Sequence, residues 1–133
     1  MLIGLSFAFA TLWKGFLSPD YMSGAYFHHT FLTDLRFFNL ASIFGNLTAI
    51  VQTSNLEEIA KLTQVDKAAE VVTLATTRRT EVLAVVVTWW TVLIEGALAL
   101  AFLWPGERGP AKLRNATLLL FGWTTYALSL IHI

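Results

Sequence analysis

The uninterrupted apolar run at residues 82–104, VLAVVVTWWTVLIEGALALAFLW, constrains this chain more than any other feature. As a helix, its 23 residues extend about 34 Å, enough to cross a bilayer hydrocarbon core of roughly 30 Å. Hydrocarbon offers no water to unpaired backbone groups, so a crossing segment must close its own hydrogen bonds as a helix. Pro105-Gly106 supplies the stop. Trp104 sits where interfacial aromatics are enriched. Glu95 is the only charge in the run.

Composition agrees with a lipid-facing chain. Hydrophobic residues make up 56% of the sequence and charged residues 14%, against roughly a quarter charged in soluble domains. Nine basic residues balance nine acidic ones, and no basic stripe marks a nucleic-acid surface. The chain has no cysteine, which removes disulfides, thiolate metal sites and thiol-relay chemistry from this piece. The expected architecture is therefore all-α: a multi-spanning helical membrane bundle, with an interfacial amphipathic helix and a solvent-exposed helix.

A second span is expected from about Ala116, following a polar turn that carries Arg108, Lys112 and Arg114 against Glu107. A short connection makes the two helices antiparallel neighbours. Its basic excess places loop 105–115 in the cytoplasm by the positive-inside rule. Arg78 and Arg79 work against that assignment, because they flank the opposite end of the strong span.

Before residue 77 the pattern is mixed. Residues 1–13 are apolar but too short to span alone. Either the helix continues through Lys14 to Leu17 or the native chain starts further upstream, the second being preferred. Ser18-Pro19-Asp20 is a turn signal. Phe27, Phe31, Leu35 and Phe38 recur at helical spacing, which suits a helix lying in the membrane interface. Residues 37–51 read as a short buried or re-entrant span, or as a continuation of that helix. Asn55, with Glu58 three residues on, forms a capping box and predicts a solvent-exposed helix from Asn55 to about Thr76.

The final six residues, LSLIHI, end the chain inside an apolar segment. They can be encoded by CTGTCTCTTATACACATC, which resembles the mosaic-end adapter of transposase-based sequencing libraries. The expectation is a single partial transmembrane domain over 1–127, with 128–133 a non-native tail.

Glu95 is the leading functional residue, because a carboxylate inside a span must be paired, protonated or turned inward. It reads either as a proton carrier, quinone-site residue or substrate contact, or as a packing residue that the adjacent Gly96 and Ala97 let approach a neighbouring helix. Its available partners are Lys14, Tyr126, Thr124, Thr125, Arg36 and His29, with Lys14 favoured. Taken alone, Lys14 reads better as a lysine snorkelling at the membrane boundary than as a buried base. Trp89, Trp90, Tyr126 and Phe16 are candidate aromatic walls for a cofactor. His28-His29 near Asp34 raises a metal site, but adjacent histidines on a helix point about 100° apart and no HxxxH or ExxH spacing accompanies them, so no metal is expected. No phosphate loop, serine elbow or triad pattern is present, and no motif fixes a reaction.

The stretch WKGFLSPDYMSG at 13–24 places a lysine at a helix end, then a Ser-Pro-Asp turn, then Ser-Gly before an aromatic helix. It resembles the HTTM-type membrane domain, a group that includes bacterial relatives of vitamin K-dependent γ-carboxylase. Thr88-Trp89-Trp90 through Glu95 to Leu103-Trp104-Pro105 resembles the "E…AL.FL.P" helix of that group, and the likeness covers most of residues 7–127. DoxX-like and MauE-like membrane proteins share a similar lysine and glutamate layout. The resemblance implies a bacterial inner-membrane protein with quinone- or lipid-linked chemistry, in which Lys14 stands where the candidate base lies. The DoxX and MauE likeness implies a redox accessory subunit working with other membrane or soluble subunits. A non-catalytic scaffold is the third reading.

Overall fold

The computed structural model describes residues 2–62, 73–104 and 111–130, and all of its regular structure is helical. The first helix, α1, runs Leu2–Leu12 and passes without a break into a π-helical turn at Trp13–Leu17. The helix therefore does continue through Lys14 to Leu17. Ser18 leaves helical geometry, and Pro19 opens the short α2, Pro19–Met22. Gly24 follows at φ +86°, a left-handed conformation that glycine adopts without cost, and redirects the chain into α3, Ala25–Thr33. A side chain at Gly24 would also strike the backbone of Val85, so the turn packs directly on the long helix.

Asp34 caps a single 3-10 turn, Leu35–Phe37, which leads into α4, Phe38–Ile43. Asn46 then takes a left-handed backbone (φ 56°), which asparagine tolerates better than most residues. After it come α5, Ala49–Leu62, the long α6, Arg78–Leu103, and α7, Ala111–Leu130.

Helix α6 is the organising element, with α1, α3 and α7 packed along it. Gly4 meets Phe102 and Leu103, and Lys14 meets Glu95, so α1 runs antiparallel to α6. Arg114 lies over the Phe102 ring while Phe121 and Thr125 line one cavity with Thr91 and Glu95, which makes α7 antiparallel to α6 as expected. Helices α1 and α6 approach closely at Gly4, where an added Cβ would lie 2.9 Å from the Cβ of Phe102. At Gly96 the same methyl would meet Thr11 at an ordinary 3.7 Å, and Ala97 is exposed, so the close approach expected there occurs instead at the far end of α1.

Three expectations change. The row expected on one helix is divided between three elements: Phe31, with Leu32, is fully buried among Leu40, Ala41, Leu47, Ala84 and Val87, Phe27 and Phe38 are partly covered, and Leu35 on the 3-10 turn is exposed. Residues 37–51 hold a short helix and a turn, with no span among them. Helix α5 starts at Ala49, six residues before Asn55, and Asn55 is buried mid-helix. Its side chain donates to the Ala75 carbonyl (2.9 Å) and accepts from the Ala75 N–H (2.8 Å). Glu57 and Lys61 do lie exposed on α5, and the stretch expected to continue that helix over 63–72 lies outside the described residues.

Helix α6 is capped by Thr77, whose hydroxyl accepts from the Thr80 N–H (3.2 Å) and donates to the Gly45 carbonyl (2.6 Å). The buried Thr80 hydroxyl reaches the same carbonyl. Among the described residues α6 alone is long and apolar enough to cross a membrane, while Leu2–Leu17 is a shorter apolar helix. Only 33% of the apolar window of α6 is buried, whereas the core helix of a soluble protein is mostly covered. Helix α7 begins at Ala111, so 111–115 is helix where a turn was expected, and 105–110 lies outside the described residues.

Candidate functional site

The π-helical turn brings Lys14 to Glu95. Widened helical turns of this kind recur at functional sites, because they re-aim a side chain. Here Trp13, Phe16 and Leu17 stay exposed while Lys14 turns towards α6. Its Nζ lies 2.5 Å from Glu95 Oε1. An apolar environment favours that pairing, since each charge alone would be costly there. Lys14 is thus held by a carboxylate and does not extend freely to a boundary.

Two residues that sequence reasoning missed complete the pair's surroundings. Tyr21 presents its ring to Lys14 Nζ at 5.2 Å, a cation–π contact. Its hydroxyl lies 2.9 Å from Thr91 Oγ1. Thr91 already donates to the Thr88 carbonyl (2.8 Å), so Tyr21 must be the donor to Thr91. Thr91 stands one helical turn before Glu95 on the same face, which is the one signal in the sequence that could have pointed to it. From Tyr21 a ladder of ring contacts runs through Phe27 and Phe31 to Phe37, with centroids 5.8–5.9 Å apart.

These groups, except the fully buried Phe31, line a cavity of about 750 Å³. Lys14, Tyr21, Thr91 and Glu95 form its polar end, and Phe27, Phe37 and Phe121 give aromatic walls. Asp34 and Arg36 also line it, joined by a forked ion pair with Nη2 to Oδ2 at 2.6 Å. The Asp34 carboxylate raises the Arg36 guanidinium above its usual range, first through the hydrogen bond and then through its charge. Arg36 is therefore matched to Asp34 and does not serve Glu95. Within the polar end, Glu95 Oε2 is buried and has no hydrogen-bond partner among the described residues.

The remaining sequence candidates lie elsewhere. Trp89, Trp90, Phe16 and Tyr126 are exposed and line no part of this cavity, so the aromatic walls come from other helices. Thr125 lines the cavity and donates to the Phe121 carbonyl, while Thr124 bonds back within α7. His28 meets Thr76 (2.6 Å), and His29 is exposed beside Thr33. Among the described residues no group of three metal-ligating side chains forms. Comparison of the chain with protein-family models, curated proteins and solved structures finds no match.

Proposed function

We propose that this chain is part of a multi-spanning helical membrane domain whose Lys14–Glu95 cavity binds the head group of a quinone or quinone-like lipid. The observation that carries it is Glu95 Oε2, buried and without a partner among the described residues, beside an ammonium group in a cavity with aromatic walls. The resemblance of 13–24 and 88–105 to HTTM-type domains, and to DoxX-like and MauE-like proteins, supports the same reading. So does the apolar surface of the flanking helices, with Phe9 exposed on α1 and Leu119 and Trp123 on α7. On this reading α1 and α7 are membrane helices alongside α6, in a bacterial inner membrane with connection 105–115 on the cytoplasmic side.

The residues present suit such a head group. Lys14 offers N–H donors to a ring oxygen in either redox state, Glu95 Oε2 accepts from a hydroxyl of the reduced ring, and Phe27, Phe37 and Phe121 give the ring an apolar surface to lie against. A bound quinone supplies two-electron redox chemistry. The chain's own contribution is orientation and a carboxylate oxygen at which a proton can be held. A purely structural reading makes the pair a staple between α1 and α6, and the unpartnered Oε2 is what separates the two, since a staple leaves no reason to bury an unmatched acceptor.

The test is an anaerobic titration of a short-chain quinol into the protein held in nanodiscs, followed by quenching of its intrinsic fluorescence. Saturable binding is expected, weakened about tenfold or more in Glu95→Gln, the equivalent of ~1.4 kcal/mol. Absence of saturable binding, or equal affinity in Glu95→Gln, would leave the scaffold reading in its place.

A further inference from the structure

Arg78 and Arg79 have no role in the cavity, and their charge opposes the topology drawn from the 105–115 connection. Among the described residues neither guanidinium makes a hydrogen bond or ion pair. Both are exposed at the start of α6 and help line a shallow groove of about 610 Å³, whose other walls are Phe44, Val82, Leu83 and Val86. The groove continues as a stripe. Val82, Val86, Trp89 and Leu93 follow Arg78 at helical spacing and are 57%, 58%, 48% and 63% exposed. From Val82 to Leu93 the helix rises about 17 Å, close to half of a hydrocarbon core of roughly 30 Å.

We infer that this groove is a binding site for an anionic phospholipid of the phosphatidylglycerol type. The two guanidiniums take the phosphate, to which arginine's planar fork is matched. An acyl chain lies along the Val82–Val86–Leu93 face, against Phe44. The occupant is chosen by charge and shape together: two cations, unmatched among the described residues, at one end of an apolar track. A zwitterionic lipid would bring a second cation to the arginines, and a soluble phosphate would leave the track uncovered. The inference rests on α6 being membrane-embedded, and it gives Arg78 and Arg79 a lipid-holding role in place of a topological one.

Native mass spectrometry of the protein released from vesicles of equal phosphatidylcholine and phosphatidylglycerol would test it. The wild-type chain should retain phosphatidylglycerol in preference by about fivefold, the attraction of one basic residue to an anionic membrane surface. Arg78→Gln with Arg79→Gln should bring the ratio to near one. Lys112→Gln with Arg114→Gln, on α7, should leave it unchanged. Val86→Trp, which keeps both arginines but fills the groove, should also reduce retention. Equal retention of the two lipids by the wild type would overturn the inference, as would dimers carrying no lipid or a preference that survives loss of both arginines. Flotation of the same vesicles separates the two readings: a chain that does not insert overturns the membrane reading with this one, and an inserted chain without the preference overturns this one alone.

Discussion

Lys14 and Glu95 are 81 positions apart and meet at 2.5 Å with most of both side chains covered. A pair like this stabilises little compared with two apolar residues of the same size, but half of it is worse than either. Lys14→Met alone leaves an unmatched buried carboxylate, and Glu95→Leu alone leaves an unmatched ammonium. Each single change should therefore destabilise the protein by about 3 kcal/mol, the lower end of the range for breaking a buried pair, because Lys14 is partly exposed. The double variant should recover much of that loss, with a coupling energy of about 1 kcal/mol or more in thermal or denaturant unfolding. Strictly additive losses would mean that the two side chains do not act on each other. The partner list for Glu95 could be drawn up from the sequence because few polar residues occur in apolar helices. The partner's geometry could not, because it depends on a π-helical turn that leaves no compositional mark at Trp13–Leu17. Tyr21 was hidden for the same reason, since its role exists only once α2 folds back on α6.

At the scale of elements, α6 was readable because a long apolar run ending in Pro-Gly has one low-cost conformation in lipid. Helix α5 misled because Asn55 and Glu58 make a sound local cap, yet Asn55 matches the backbone of Ala75, twenty residues away. Gln52, one turn earlier on the same face, likewise reaches the carbonyls of Phe31 and Asp34. Two buried amides on one helix face were the available hint, and only a tertiary partner explains them. The α4–α6 junction offers a sharper test. A Cβ at Gly45 would lie 2.6 Å from the Ala41 carbonyl and 2.8 Å from Thr80 Oγ1, while one at Gly122 on α7 meets nothing within 4 Å. Gly45→Ala should lower the melting temperature by disrupting the two hydroxyls that converge on its carbonyl. Gly122→Ala should leave it unchanged or raise it, alanine being favoured over glycine in a helix by up to ~1 kcal/mol. The opposite order would show that the junction is not packed as described.

The whole molecule buries a modest core around Phe31 and leaves a large apolar surface on α1, α6 and α7, an exposure that lipid tolerates and water does not. The quinone and lipid assignments both depend on that surface facing a bilayer. Leu93 lies midway along the 82–104 run and is 63% exposed, with its side chain directed away from the protein. Because the chain has no cysteine, one can be introduced there without competition and given a nitroxide label. The decisive measurement is the relaxation of that label, in lipid vesicles, by oxygen and by a water-soluble nickel complex. A label at Leu93→Cys should respond strongly to oxygen and weakly to nickel, while one at Thr76→Cys, before the start of α6, should show the reverse. A Leu93 label that nickel reaches as readily as it reaches Thr76 would contradict the membrane-embedded account at its base.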